Sequence, residues 1–278
     1  KERLQGKLPE SKNIADPIIV HPEIRKNLMY MKSVNDGIRG LMLKAGNAFD
    51  IIDSDQTSKL SQTSENLIAL LTPILKSFAT DKALEITNNA LQIYGGHGYI
   101  TDHGMEQLVR DARILPIYEG TNGIQALDLI GRKFNIHDGQ IINDYLGEIE
   151  RFLIANDDDQ NMQKFIELFK SSFIDLKDCV DFIRQIDTKN TKEINAHAMD
   201  FLNIFALVAV GYTWLQFIKV SQDKIKEIND PFYLSKIQLG EFFMTKVIFE
   251  TKRFKNNIYS SGNLYNLFTD NYFETGSQ

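Results

Sequence analysis

Apolar residues recurring every three or four positions, with little to interrupt them, constrain this chain more than any other feature. From Pro22 onward, Ile24, Leu28, Met31, Val34, Ile38, Leu41, Ala45 and Phe49 fall on one helical face, which Ser54 and Asp55 break just after Asp53. Six prolines and seventeen glycines in 278 residues are too few breakers for a protein of many short strands. No useful stretch of β-type alternation exists. The chain reads as all-α, a bundle with a second helical layer.

The same pattern sets the organisation. Residues 7–20, with Pro9 and Pro17, read as an irregular connector. A second helix starts near Ser64, and at Pro73 two outcomes stay open. Thr72 caps a new helix with Pro at its first position, or one helix kinks there. Ile74, Phe78, Leu84 and Leu91 then carry the apolar stripe onward. Residues 104–115 read as a short helix and bend, and residues 121–133 as another helix. Beyond His137-Asp138-Gly139 glycine becomes scarce, and long helical patterns follow near 140–155, 159–186, 190–227 and 231–258. That change places a seam near residues 135–140, giving segments 1–137 and 138–278.

A formal charge of −6 and the lack of any run of five basic residues argue against nucleic acid as a partner. Acidic residues outnumber basic ones over 150–278, and Lys252-Arg253 with Lys255 suits a solvated helix end. No apolar run reads as a membrane span. The single Cys179 cannot form an internal disulfide, so a reducing, cytoplasmic setting and a small buried side chain are expected. Asp157-Asp158-Asp159 reads as a helix-leading loop and not as a metal site.

Chemistry concentrates in two runs. In Ile117-Tyr118-Glu119-Gly120-Thr121-Asn122, a carboxylate sits between apolar residues and a glycine turn into a helix. Such a group can abstract a proton if the site is dry, though a solvated turn residue or helix cap fits the local chemistry as well. In Gln92-Ile93-Tyr94-Gly95-Gly96-His97-Gly98-Tyr99, three glycines in four positions permit close backbone approach to a ligand, or mark a helix C-cap.

Together at this spacing, the two runs resemble the C-terminal portion of the acyl-CoA dehydrogenases, flavoenzymes that desaturate acyl thioesters. The resemblance implies that Glu119 is the base that removes the α-proton and that Thr121 contacts the flavin. It implies that Gln92, Gly95 and Gly96 contact flavin adenine dinucleotide (FAD), often that of a neighbouring subunit. Arg3, in Glu2-Arg3-Leu4-Gln5-Gly6, matches an arginine that binds the flavin pyrophosphate across a subunit interface. His97 and His103 carry no role, and Arg110-Asp111-Ala112-Arg113 reads as an ion-paired helix positioning the Glu119 loop. Gly123 departs from the Asn, Gln or Glu that many members carry there.

The added helices beyond residue 140, with His21-Pro22 and Thr72-Pro73, resemble the larger subgroup that includes 3-methylmercaptopropionyl-CoA dehydrogenase and an alkylation-response homologue. The resemblance therefore implies an acyl-CoA substrate, a homodimer or higher homo-oligomer, and an electron-transferring flavoprotein as acceptor. The family's N-terminal helical domain and central β-domain are missing from this sequence, which opens at Lys1 without an initiator Met, so the isolated chain is expected to be inactive. The other reading is a non-catalytic homologue associated with DNA or protein.

Overall fold

A computed structural model describes residues 3–260 and 264–267. It is 83% helical, and no strand occurs among the described residues. The all-α reading holds. An irregular N-terminal segment precedes the bundle, as expected. Its hub is Asp16, which accepts from the Ser11 hydroxyl at 2.6 Å, Asn13 Nδ2 at 2.8 Å and the Leu8 amide at 2.9 Å. These bonds hold its carboxyl at about 2. An isolated bridge pairs Leu4 with Pro17 and turns the chain into a 3₁₀ turn at Ile18–Val20.

Two long antiparallel helices follow, α1 (Pro22–Ser54) and α2 (Lys59–Tyr94). Pro22 occupies the first turn of α1, where a missing N–H costs nothing. Ser58 caps α2, accepting from the Ser61 amide, so this helix begins five residues earlier than the pattern predicted. At Pro73 it neither ends nor restarts. The Pro73 ring is buried, and the Thr72 hydroxyl donates to the Ile68 carbonyl at 2.7 Å instead of capping a new helix. Burial of the proline offsets its lost backbone bond.

Short helices α3 (Gly96–Tyr99), α4 (Met105–Arg113) and α5 (Asn122–Leu127) come next. α5 runs on through a π turn, Asp128–Arg132, to a kink where His137 (φ 50°) and Asp138 (φ 54°) are left-handed. Then α6 (Gln140–Ala155) and α7 (Gln160–Gln185) lie close to the expected ranges. Asp159 caps α7 through the Asn161 amide, and Lys219 binds its carboxylate at 3.2 Å. The single helix expected over 190–227 is broken: α8 (Thr191–Ala196) and α9 (Ala198–Glu227) meet at buried His197. α10 (Pro231–Phe242) leads through π and 3₁₀ turns into α11 (Thr251–Tyr259). One turn, α12 (Leu264–Leu267), ends the described chain.

α9 is the axle. From Phe201 to Ile218 it carries no charge, so it is long and apolar enough to cross a membrane, contrary to the sequence reading. Yet 83% of its apolar window is buried inside the protein, as suits a core helix. It packs on α1 where glycines allow close approach. A Cβ on Gly37 would lie 2.6 Å from Val210 Cγ1 and 2.7 Å from Trp214 Nε1. One hydrophobic cluster runs from Val34 and Leu71 through Phe134 and Phe169 to Ile258, so both halves of the sequence share it. Cys179 lies within this cluster, fully buried, and burial pushes its thiol up to about 12.

Candidate active site

Tyr118, Glu119 and Gly120 form a bend between α4 and α5. Glu119 is held at φ 56°, a left-handed conformation that costs a residue bearing a Cβ about 1–2 kcal/mol. Gly120 follows at φ 79°. Thr121 then caps α5, its hydroxyl oxygen accepting from the Ile124 amide at 3.4 Å, which leaves the hydroxyl proton for another acceptor. The Glu119 side chain is exposed. The apolar cover expected from Ile117 and Tyr118 does not close over it, because each is itself 47% exposed.

Beneath the bend lies a polar node that the sequence reading missed. Asn122 is buried; its side-chain nitrogen donates to the Ser77 carbonyl (3.0 Å) and Asp81 Oδ1 (2.7 Å), and the Thr80 hydroxyl lies 3.1 Å from its Oδ1, to which it can donate. Its amide oxygen accepts from Lys76 Nζ at 3.0 Å, and the same ammonium donates to the Gly120 carbonyl at 2.6 Å. Gln125 Nε2 donates to the Glu119 carbonyl at 3.1 Å. Burial raises the Asp81 carboxyl, against the Asn122 bond and the charges of Lys82 and Lys76 that lower it. A polar residue just after a cap, and a lysine between buried Ile74 and Phe78, were the available signals.

The second group gathers at the far end of α2. Gly95 ends the helix at φ 59°, its amide bonded to the Gln92 carbonyl at 3.0 Å. The Arg3 guanidinium lies directly over Gly95, where a Cβ would come within 2.6 Å of Nη2, and Nη1 donates to the Tyr94 carbonyl. A cation there offsets the negative end of the helix, which would otherwise repel a phosphate. A Cβ on Gly96 would meet open space. Gly98 differs: its Cβ would sit 2.8 Å from the Leu91 carbonyl, so that glycine serves packing within the turn and not ligand approach. Gln92 is exposed on the last turn. An exposed guanidinium beside open glycine backbone suits a pyrophosphate, so this end fits the phosphate part of a dinucleotide. His97 and His103 are both exposed and meet edge to face at 5.2 Å.

The structure thus joins Arg3 to Gln92, Gly95 and Gly96, and Glu119 to Thr121, but keeps the two groups apart. Lys76, under the Glu119 bend, and Tyr94, under Arg3, are separated by roughly 27 Å along α2. Arg110 pairs with Glu106 at 2.6 Å, and buried Ala112 seats α4 as the ion-paired helix expected before the bend.

The helical bundle that carries this bend, cap and glycine turn has relatives among known proteins. A family model for the acyl-CoA dehydrogenase C-terminal domain matches residues 10–134. Another, described as acetyl-CoA dehydrogenase C-terminal like, matches residues 145–264. The chain belongs to the acyl-CoA dehydrogenase family and corresponds to its C-terminal portion.

Among curated relatives, the 3-methylmercaptopropionyl-CoA dehydrogenase of Ruegeria pomeroyi is 39% identical over 134 residues, 48% of this chain and 23% of that protein. A butyryl-CoA dehydrogenase of Syntrophomonas wolfei is 27% identical over 250 residues, 86% of this chain and 41% of that protein. The chain spans less than half the length of these relatives. Two solved structures share the fold. An acyl-CoA dehydrogenase from Bacillus anthracis complexed with FAD has TM-score 0.67 and 16% identity, over 95% of this chain and 45% of that one. Caenorhabditis elegans ACDH-11 in complex with C11-CoA has TM-score 0.67 and 20% identity, over 85% of this chain and 38% of that one.

Proposed function

We propose that this chain is the proton-abstracting, C-terminal part of a flavin-dependent acyl-CoA dehydrogenase that introduces a trans α,β double bond into an acyl-CoA thioester. The observation that carries the reading is the Glu119 carboxylate itself, presented on a left-handed bend whose next two residues bend into and cap a helix. Glu119 takes the α-proton, and its carboxylate becomes the carboxylic acid. When bound, the flavin supplies the acceptor for the pair of electrons that leaves with the β-hydrogen. With the flavin bound, Thr121 would offer it a hydroxyl proton, and Arg3, Gln92, Gly95 and Gly96 would hold a diphosphate end.

The separation of the two groups along α2 supports a homodimer or higher homo-oligomer. Glu119 and Arg3 of one chain then serve different cofactor molecules, each completed by a second copy. Exposure of Glu119 supports the view that segments beyond this chain cover the site, so the chain alone is inactive and holds FAD weakly. An electron-transferring flavoprotein is the proposed acceptor, and residues 138–278 are an additional helical segment that shares one hydrophobic core with the bundle of 1–137.

The test is an absorbance scan near 450 nm of the full-length protein, then anaerobic titration with a panel of acyl-CoAs. Bleaching by one thioester, lost in Glu119→Gln, is the expected result and names the substrate. A yellow protein that no thioester bleaches would overturn the dehydrogenase reading in favour of a non-catalytic homologue.

A further inference from the structure

We infer that Lys76 is a positioning residue for Glu119, holding the base in its bend through the Gly120 carbonyl; this rests on the dehydrogenase reading above. Glu119 sits in a conformation that a residue with a Cβ leaves when free to do so. Something must hold it there. Two donors do: Gln125 Nε2 on the carbonyl of Glu119 at 3.1 Å and Lys76 Nζ on the carbonyl of Gly120 at 2.6 Å. The backbone N–H of Asn122 also donates to the Pro116 carbonyl at 3.1 Å, closing the loop across its base. The charged bond is the stronger clamp.

Lys76 is itself fixed. Its second bond goes to Asn122 Oδ1, and Asn122 can face only one way. Its Nδ2 donates to the Ser77 carbonyl and Asp81 Oδ1, which can only accept, and a flipped amide would set an NH₂ group against the ammonium. Each of these partners is in the middle of α2. The node therefore ties a surface carboxylate to a long helix that is packed into the bundle through Ile74, Ser77 and Phe78. A carboxylate misplaced by an ångström loses rate while substrate binding, made elsewhere, is untouched.

In the flavin-loaded, full-length protein, Lys76→Met is expected to slow single-turnover bleaching by acyl-CoA about tenfold or more, with thioester affinity unchanged. Lys76→Arg is expected to restore part of that rate. In the 278-residue chain, Lys76→Met should also speed amide hydrogen exchange at Gly120–Ile124 roughly tenfold while leaving α6 unchanged. Should Lys76→Met fail to fold, Gln125→Met removes the second clamp alone and is read in the same two ways. Wild-type bleaching with a wild-type rate in folded Lys76→Met, or exchange that rises equally everywhere, would overturn the inference. Absence of bleaching in the wild type would instead overturn the dehydrogenase reading, and the exchange measurement would still decide the clamp.

Discussion

The Trp214 indole N–H donates to the backbone carbonyl of Ser33 at 3.0 Å, joining α9 to α1 across 181 residues of sequence. That carbonyl belongs to a helix interior, and the indole reaches it because Gly37, one turn on, leaves room for the ring. Trp214 is fully buried, and it is the only tryptophan of the chain. At this point the two halves meet in a close backbone-to-ring approach.

Gly37→Ala tests it. The new Cβ would lie 2.7 Å from Trp214 Nε1 and 2.6 Å from Val210 Cγ1, so α9 must shift away from α1. The expected loss of stability is about 1–3 kcal/mol, against the small gain that Ala brings to an unobstructed helix site. Urea unfolding gives the energy, and the emission of Trp214 should move to the red as the ring meets water. A midpoint at or above the wild-type value would show that the two helices are not in close contact there.

Asp36 and Lys236 bond at 2.7 Å between α1 and α10, with 8% and 17% of their side chains exposed. Burial pushes the Asp36 carboxyl up, but the Lys236 bond and charge, with Lys32 at 3.3 Å, bring it below its usual 3.8. Asp36→Ala leaves a largely buried ammonium without its partner and is expected to cost about 3 kcal/mol at neutral pH. Asp36→Leu combined with Lys236→Met should recover most of that loss, because apolar groups of similar size need no counter-charge. Because the folded carboxyl titrates lower, its contribution is complete above 3.8 and fades as pH falls through the lowered folded value. A double variant as unstable as the single one would place the loss in packing and not in the unpaired charge.

His197 marks the break between α8 and α9 and is 2% exposed, with its Nε2 buried and without a hydrogen-bond partner among the described residues. Desolvation lowers its pKa from the usual 6.5, outweighing the attraction of Glu193 and Asp200. The neutral ring is thus the folded form. Above 6.5 neither state carries the proton; as pH drops below it, the unfolded chain binds one and the folded chain does not, so stability falls. The slope ends at the lowered folded value. His197→Gln should flatten the thermal-stability profile in that window while changing little above it. An unchanged slope would place the acid sensitivity on another group.

How much of this was legible in the chain follows from the range of each interaction. The long helices were readable because burial imposes its period on consecutive residues, as along Val34, Ile38 and Leu41. The break at His197 was not, because the apolar pattern runs straight through it, and the ring's edge-to-face contact with Phe182 on α7 is made only in the folded chain. Pro73 could not be resolved locally, since what decides it is burial of the ring. The uncharged stretch Phe201–Ile218 was overlooked as a span-length run, and only its position in the core explains its composition. Glu119, Gly120 and Thr121 were legible as neighbours in one short run. Their clamp was not, since Lys76 and Asn122 are 46 residues apart and meet only because α2 passes under the bend.

The strain at Glu119 makes a prediction that needs no cofactor. At φ 56° a Cβ crowds the backbone, whereas glycine takes this conformation freely. Glycine also costs more to order from the unfolded chain, by about 0.5–1 kcal/mol, which offsets part of the relief. Comparing Glu119→Gly with Glu119→Ala cancels the loss of the carboxylate. The glycine variant should be the more stable of the two by about 0.5–1 kcal/mol, the reverse of their order at an ordinary helix position. Equilibrium unfolding of both variants decides it. If alanine is instead the better residue, the bend is not left-handed at 119, and the carboxylate is presented by an unstrained turn.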